Sequence, residues 1–432
     1  MARQIRLNLN LQTAGRHDAA WKRLGDTSEL VTDVDYYVSI AKLAERGKLD
    51  GIFLADSHGS LRGESTRRPW RGLEPTVLLA AIARDTDRIG LVSTVHAIYG
   101  HPFAVARTIA SLDHVSHGRA AWNIITSQNP PTLEALGLPD ALDNDTRYGK
   151  AQEFVEIVTG LWDSLPRSAI VNDPEHDVYI DESKTVPVDY QGQHYRTRAV
   201  LPLPGGYAGH PVLFQAGASD HSRAFGARWA DALFTGQRTK ELARRFSAQV
   251  KRLAAANGRD PEKLVVLPGL FMILGGTEAE AQRRKDELDG LLDSDYLLGQ
   301  LAERLGVSPS ELVLDAELPY HKLAGASGTS LLARHREQLV TEARDRKLTV
   351  RQLLFNNLSG GHRVLIGTPE QVADDIVEWV DEGASDGFNV NIDVQTEGLE
   401  QFIDGVVAEL QLRGRFRTEY EYETFRENLG VA

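Results

Sequence analysis

The fold is decided by the stretch from Asp50 to Thr126, in which short apolar runs alternate with amphipathic segments. In order it reads DGIFLAD (50–56), EPTVLLAAIARDT (74–86), RIGLVSTV (88–95), HPFAVARTIASLDHVS (101–116) and AAWNIIT (120–126). Short apolar runs bounded by turn residues are typical of buried strands. An acidic or polar residue followed by proline indicates the start of a helix. The stretch therefore predicts strands and helices in strict alternation, the pattern of a parallel sheet.

The same alternation continues on both sides of this stretch. The further strand candidates are IRLNLNL (5–11), PVLFQAG (211–217), DALFTG (231–236), LVVLPGLFMIL (264–274) and GFNVNIDV (387–394). Eight strand–helix units predict a (β/α)8 TIM barrel that forms one domain over residues 1–432. An open, doubly wound sheet is the alternative, and the lack of a G-x-G-x-x-G motif after the first strand disfavours it.

Two long segments interrupt the alternation. Residues 165–210 lie after the fourth unit and contain VDYQGQHYRTR, whose alternation predicts a short hairpin. Residues 284–362 lie between the seventh and eighth strands and are mostly helical in pattern. Long insertions in a compact domain are usually lids or binding loops, so both are expected to cover the substrate.

The composition excludes several classes of function. The formal charge of −13 over 432 residues argues against nucleic-acid or anionic-membrane binding. With no cysteine, disulfides, thiolate catalysis and iron–sulfur clusters are excluded. The first strand offers no His-x-His pair, and HVSH (114–117) fits a helix end better than a metal site. We expect a soluble, cytoplasmic protein without a metal or a membrane span.

Polar side chains collect at the predicted carboxyl ends of the strands, where barrel enzymes carry their chemistry. They are Asn10, Gln12, Asp56, His58, Thr94, His96, Trp122, Asn123, Thr126 and Ser127. Amide, hydroxyl and indole groups without a nucleophile–base pair suit a large polar heteroaromatic ligand, although Trp122 taken alone fits a core aromatic better. Ser219, in QAGASDHS, is either a simple helix cap or part of a phosphate site at a helix start.

Several segments together resemble the luciferase-like flavin monooxygenases, in the branch with nitrilotriacetate, EDTA and dibenzothiophene-sulfone monooxygenases. The matching segments span almost the whole chain and are HDAAWK, DGIFLAD, LEPTVLLAAIARDTDRIGLVSTV, HPFAVARTIASLDHVSHGRAAWNIITS, RYGKAQEFVEIVTGLW, FQAGAS, ARWADALFTG and GTPEQVADDIVEWVDEGASDGFNV. The resemblance implies an enzyme that uses FMNH2 and O2 to insert one oxygen atom into a small organic substrate, with C–N or C–S cleavage as a possible consequence. A separate NAD(P)H:flavin reductase would supply the FMNH2.

The resemblance also implies site residues. The FMN-contacting positions correspond to Asp56, Thr94, Asn144, Tyr148 and Ser219, with Asp56 and Thr94 near the isoalloxazine ring and Tyr148 and Ser219 at the phosphate. His17, in the loop after the first strand, is the candidate catalytic residue that polarises substrate, although it also fits a surface histidine. Two alternatives stay open: a deazaflavin-dependent (F420-type) hydride transferase and a flavin-binding barrel without catalysis.

The last twenty residues predict self-association. RGRFRTEYEYETFRENLGVA (413–432) is aromatic and charged, and it resembles a segment that packs on a neighbouring subunit more than a part of the barrel. A homodimer or homotetramer is therefore expected.

Overall fold

The computed structural model describes residues 3–56, 66–70, 72–138, 140–323, 331–357 and 361–432. Its strands are β1 (Arg6–Asn10), β2 (Gly51–Leu54), β3 (Gly90–His96), β4 (Ala120–Ile125), β5 (Ile170–Asp173), β6 (Val178–Ile180), β7 (Val188–Gln191), β8 (Arg196–Ala199), β9 (Val212–Ala216), β10 (Ala232–Thr235), β11 (Val265–Leu274), β12 (Arg363–Gly367) and β13 (Gly387–Ile392).

The helices follow the strands along the chain. They are α1 (Val34–Arg46), α2 (Pro75–Asp85), α3 (Pro102–Val115), α4 (Pro130–Ala135), α5 (Asn144–Asp163), α6 (Asp220–Trp229), α7 (Lys240–Ala256), α8 (Glu278–Gly290), α9 (Ser294–Leu305), α10 (Tyr320–Leu323), α11 (Leu331–Asp345), α12 (Val350–Asn357), α13 (Pro369–Asp381), α14 (Glu397–Gln401), α15 (Ala408–Leu412) and α16 (Phe425–Leu429). Within the described ranges, none of these helices is long and apolar enough to cross a membrane.

Eight parallel strands close into a barrel in the order β1, β2, β3, β4, β9, β10, β11 and β13, and β13 pairs back onto β1. All eight coincide with the predicted strands, so the (β/α)8 barrel is confirmed. A ninth strand, β12, extends the sheet outside the barrel by pairing with the outer half of β11. Its five residues are mostly half-exposed and follow the predicted insertion directly, so they lack the fully apolar run by which the other eight were recognised.

The C-terminal segment closes the amino-terminal end of the barrel. Phe425 and Leu429, both fully buried, join an interior cluster with Phe53 and Phe214. The Phe425 ring stacks on Phe214 with centroids 6.1 Å apart, and it leaves no room for a side chain at Gly90, where a Cβ would lie 2.4 Å from the ring. The prediction that this tail packs on a neighbouring subunit is therefore wrong, because the tail fills the bottom of its own barrel.

The two insertions occupy different places. Residues 165–210 follow helix α5, so they begin at the amino-terminal face of the barrel, opposite the catalytic end. The predicted hairpin is confirmed as β7 and β8, and its tip is fastened to α5 because Glu153 accepts hydrogen bonds from the backbone N–H groups of Gln193, His194 and Tyr195. This insertion packs along the outside of α5 and is not the lid that the sequence predicted.

The second insertion begins beyond the carboxyl end of β11, at the catalytic end. Its helices α9 to α12 bury a hydrophobic cluster of their own, which includes Leu301, Leu305, Leu339 and Leu353 and is separate from the barrel core. The insertion is therefore a small helical unit set over the mouth of the barrel.

Candidate active site

A large cavity lies at the carboxyl-terminal mouth of the barrel, under the second insertion. Its volume is about 1130 Å³. The walls come from the loop after β1, the segment 66–70, the loop after β10 and the insertion helices α9, α11 and α12. Active sites of this fold occupy this end of the barrel, and the cavity has the size of a ligand site.

Two pairs of polar side chains form the upper layer of the barrel interior. Strand alternation turns Thr94 and Asn123 inward, since Val92 and Ala121, two residues earlier on the same strands, belong to the interior cluster. Asn123 Nδ2 donates to Thr94 Oγ1 at 2.9 Å, and Asn10 Nδ2 donates to Asn391 Oδ1 at 2.8 Å.

Each pair leaves an acceptor unused. The buried Oδ1 atoms of Asn10 and Asn123 have no hydrogen-bond partner among the described residues. Buried polar atoms are normally satisfied, so these two oxygens mark places where a bound ligand would donate hydrogen bonds. These two oxygens therefore support the prediction of a polar ligand at the ends of the first, third and fourth strands.

Asp56 lies at the same edge of the barrel, two residues beyond β2, and is half-buried. Thr94 is almost fully buried. Of the two residues assigned by resemblance to the ring end of the flavin, Thr94 therefore lies on β3 and Asp56 follows the adjacent, paired strand β2. His58, noted with them in the sequence, lies outside the described residues.

The three remaining predicted residues gather where α5 and α6 begin. Ser219 caps α6 and accepts a hydrogen bond from Ser222 N at 3.2 Å. Tyr148, in the first turns of α5, stacks on His221 with centroids 5.6 Å apart. Asn144, the first residue of α5, is exposed and accepts from Arg147 Nη2 at 2.6 Å. The structure thus brings Asn144, Tyr148 and Ser219 into one cluster.

Two arginines complete this cluster, and the sequence reasoning missed both. Arg147 and Arg223 each have a buried Nε without a hydrogen-bond partner among the described residues. Arg147 directly precedes Tyr148, and Arg223 lies in the first turn of α6, whose backbone N–H groups also attract anions. Two helix starts and two guanidinium groups make a suitable place for a phosphate. The basic neighbour of a predicted phosphate contact was the signal available in the sequence.

Trp122 does not line the cavity. Its indole faces the surrounding helices, where it lies 6.0 Å from Phe154 and 6.4 Å from Trp162, and its Nε1 donates to Val95 O. The interpretation of Trp122 as a core aromatic is confirmed, and its indole does not belong to the polar strand-end groups that would face a ligand. The reason is strand alternation, because inward-facing Asn123 forces its neighbour outward.

His17 is held away from the cavity. Its side chain is 4 % exposed, its Nε2 lies 3.1 Å from Asp289 Oδ1, and its Nδ1 accepts from Ala19 N at 3.2 Å. Both ring nitrogens are therefore engaged, and the neighbours Arg16 and Asp18 line the cavity instead. This geometry fixes the loop after β1.

His362 packs into the barrel interior near the cavity-lining residues Arg16 and Arg238, and the sequence pattern did not predict its position. Its imidazole occupies the space left by Gly269 on β11, where a Cβ would lie 2.1 Å from Nδ1, and it lies 5.4 Å from the Phe234 ring. Burial, together with Arg16 and Arg238, lowers the pKa of His362 to about 4, so the ring is neutral near pH 7. A glycine within the bulky run LVVLPGLFMIL was the available signal, since it marks a close approach.

The residues present fit a flavin mononucleotide. Unsatisfied amide oxygens at the barrel mouth suit the polar edge of a ring system, and the cluster at α5 and α6 suits a phosphate. In the described part of the chain, no three His, Asp or Glu side chains come close enough together to hold a metal ion.

Comparison with known proteins identifies the family. Residues 13–386 match the sequence family described as luciferase-like monooxygenase. The chain is 40 % identical to N-acetyl-S-(2-succino)cysteine monooxygenase from Bacillus subtilis (99 % of this chain, 97 % of that protein) and 38 % identical to nitrilotriacetate monooxygenase component A from Aminobacter aminovorans (100 % and 97 %). The solved structure of EDTA monooxygenase from Chelativorans sp. BNC1 superposes with a TM-score of 0.82 at 32 % identity, covering 100 % and 99 % of the two chains.

These relatives confirm the predicted branch and the prediction of an FMN-dependent monooxygenase, and they support it over the deazaflavin alternative. The barrel, the polar mouth and the cluster at the starts of α5 and α6 are consistent with that assignment. The chain belongs to the luciferase-like monooxygenase family.

Proposed function

We propose that this chain is the oxygenating component of a two-component monooxygenase and binds FMNH2 across the barrel mouth. Asp56 and Thr94 would contact the isoalloxazine ring, while Asn144, Tyr148 and Ser219 would hold the phosphate with Arg147. The observation that carries the proposal is the pair of buried, unsatisfied amide oxygens towards the carboxyl ends of β1 and β4, together with two arginines in the first turns of α5 and α6.

Bound FMNH2 supplies the chemistry: with O2 it gives one oxygen atom to the substrate and one to water, and the flavin is oxidised. The protein's part is to position the reactants and exclude water. Asn123 and Asn10 would accept hydrogen bonds from the flavin through their unpaired Oδ1 atoms, and the helices of the second insertion line the cavity at the barrel mouth. His17 would support this arrangement by fixing the loop that carries Arg16 and Asp18.

A separate NAD(P)H:flavin reductase is the proposed partner. One relative is named as component A of its monooxygenase, which implies a further component there. Because the reductase consumes NAD(P)H, the proposal places the reaction in the cytoplasm. A homodimer or homotetramer remains a prediction, and sedimentation at several protein concentrations tests it without reference to the tail.

Oxygen consumption coupled to product tests the proposed function. FMNH2 generated by an unrelated flavin reductase is supplied to the wild type and to Asn123→Ala, with candidate substrates of this family. The wild type should form one product molecule per FMNH2 consumed, whereas Asn123→Ala should lose at least tenfold in coupled turnover, because a buried hydrogen bond to the flavin is gone. FMNH2 oxidation without any oxygenated product, over a full substrate panel, would contradict the proposal.

A further inference from the structure

The imidazole of His362 has no hydrogen-bond partner among the residues that the structure describes. Its ring packs at the barrel mouth, over Gly269 and against the Phe234 ring, with the two ring centroids 5.4 Å apart. Polar groups inside proteins are normally paired. An unpaired imidazole at the catalytic end of a barrel therefore points to a role in binding or catalysis.

The two nitrogens of His362 have different surroundings. Nδ1 lies in the space that a side chain at Gly269 would fill, 2.1 Å from the position of that Cβ, and it is buried. Nε2 is on the far edge of the ring, and because the residue as a whole is half-buried, Nε2 is the accessible nitrogen. Gly361, the preceding residue, lines the cavity. The accessible nitrogen therefore lies where the barrel interior meets the cavity.

A buried amide lies beside Nδ1. Asn389 on β13 pairs in register with Gly269 on β11, and its neighbours Phe388 and Val390 pack on the outer side of the strand, so Asn389 faces the barrel interior. Its side chain is buried, and neither Nδ2 nor Oδ1 has a partner among the described residues. Paired strands are about 4.8 Å apart, so a side-chain rotation brings Asn389 Nδ2 within reach of His362 Nδ1.

A second buried amide orients the first. Asn8 on β1 pairs in register with Asn389, and both polar atoms of its side chain are also buried without a partner in the described part of the chain. Asn8 Nδ2 can donate to Asn389 Oδ1, which leaves Asn389 Nδ2 to donate to His362 Nδ1. A ring nitrogen that accepts a hydrogen bond carries no proton, so the proton of the neutral imidazole then lies on Nε2.

His362 stays uncharged near pH 7. Burial, together with Arg16 and Arg238 nearby, lowers the pKa of His362 to about 4. A neutral imidazole that donates a hydrogen bond stabilises negative charge on an oxygen atom and keeps its own proton. In the proposed reaction, negative charge develops on oxygen when O2 takes electrons from the flavin.

We propose that His362 is a catalytic residue whose Nε2–H donates a hydrogen bond to O2 as FMNH2 reduces it, and that Asn389 is the positioning residue that sets the imidazole tautomer. The inference rests on the proposed function. Two electrons and two protons pass from FMNH2 to O2, and without substrate the products are FMN and hydrogen peroxide. With substrate, the O–O bond breaks, one oxygen atom bonds to the substrate, and the other leaves with both protons as water.

Nitrogen NMR of the full chain, labelled with 15N-histidine and free of flavin, tests the tautomer at pH 7. The His362 signals are assigned by their loss in His362→Gln. Wild type should show a protonated Nε2 and an unprotonated Nδ1, and Asn389→Leu should shift the population towards the other tautomer. A protonated Nδ1 in wild type would overturn the catalytic assignment, and an unchanged tautomer in Asn389→Leu would overturn the role of Asn389.

Stopped-flow reoxidation of bound FMNH2 by O2, without substrate, tests the catalytic role. The second-order rate constant should fall at least tenfold in His362→Leu, because the donor to the developing charge is lost. It should fall less in His362→Gln, whose amide N–H still donates. His176→Leu is the matched control, because the His176 side chain is 75 % exposed, pairs with Asp173 and lies in the first insertion; its rate constant should equal that of wild type.

Two kinetic results would overturn the inference. They are a wild-type rate constant in His362→Leu, and equal losses in His362→Leu and His362→Gln, which would show that the ring only fills space. The Kd for FMNH2, measured on the same samples, separates this inference from the proposed function. Wild type that does not bind FMNH2 refutes the proposed function, whereas tight binding with an unchanged rate constant in His362→Leu refutes the role of His362 alone.

Discussion

At the scale of one residue, the contact between His17 and Asp289 predicts that this side chain stabilises the fold. We expect His17→Ala to lower the free energy of unfolding by about 1–3 kcal/mol, because Asp289 keeps its burial but loses a partner. Denaturant unfolding measures the loss. The ratio of product to FMNH2 consumed should stay near the wild-type value. A large fall in that ratio with unchanged stability would show that His17 has a catalytic role.

His362 should make stability depend on pH. The pKa of His362 is about 4 in the folded state, below the ordinary value of 6.5. Between pH 4 and 6.5 the imidazole is therefore protonated in the unfolded chain and neutral in the folded chain. The contribution of His362 to the free energy of unfolding is complete above pH 6.5 and is lost as the pH falls through 4. It amounts to about 2 kcal/mol after allowance for the ring's partial exposure.

Unfolding of wild type and His362→Gln at pH 7, 6, 5 and 4 checks this sign. The difference between the two proteins should shift in favour of the variant as the pH falls. Asp113, whose pKa burial raises to about 6, acts in the opposite direction, but it is present in both proteins and cancels in the difference. Parallel pH profiles would contradict the assigned environment of His362.

At the scale of one helix, the start of α6 should contribute to cofactor binding as well as to stability. Ser219→Ala removes the cap of α6, and Thr277→Ala removes the equivalent cap of α8; both caps are exposed and both accept a backbone N–H at 3.2 Å. Each should cost about 1 kcal/mol of stability. Only Ser219→Ala should also raise the Kd for FMN, about tenfold by fluorescence titration. If both variants change the Kd for FMN equally, the phosphate does not bind at the start of α6.

The elements themselves were largely predictable, and their placement was less so. Buried strands of a parallel barrel are apolar on both faces, so their runs stand out in the sequence. The pairing of β12 and the packing of the first insertion against α5 depend on tertiary contacts, such as the anchoring of the hairpin tip by Glu153. The side of the barrel on which each insertion begins was predictable from its position along the chain, because a loop after a helix starts at the amino-terminal face.

In the candidate site, too, residues on predicted elements could be recognised from the sequence, whereas contacts between distant segments could not. Asn123, Thr94 and Ser219 were recognisable because they end strands or start a helix, whereas His362 reaches the barrel interior from a segment distant in sequence. His362 fits there because Gly269 has no side chain, and nothing in a single sequence indicates that these two residues are in contact.

At the scale of the whole molecule, the C-terminal segment should be indispensable to the barrel. Phe425→Ala leaves a cavity beneath Phe214 and Gly90, and we expect the free energy of unfolding to fall by about 3–5 kcal/mol. Chemical denaturation measures the loss. Sedimentation of wild type and variant should give the same oligomeric state. A variant that dissociates but keeps its stability would show that the tail forms a subunit interface.

The most direct test of the central claim is an anaerobic titration of the purified chain with FMNH2, oxidised FMN and a reduced deazaflavin, followed by mixing with oxygen. The account predicts that FMNH2 binds most tightly, that Ser219→Ala weakens this binding, and that the bound flavin reoxidises with a course distinct from free FMNH2. Preference for the deazaflavin, or reoxidation identical to that of free flavin, would contradict a barrel mouth built for FMNH2 and O2.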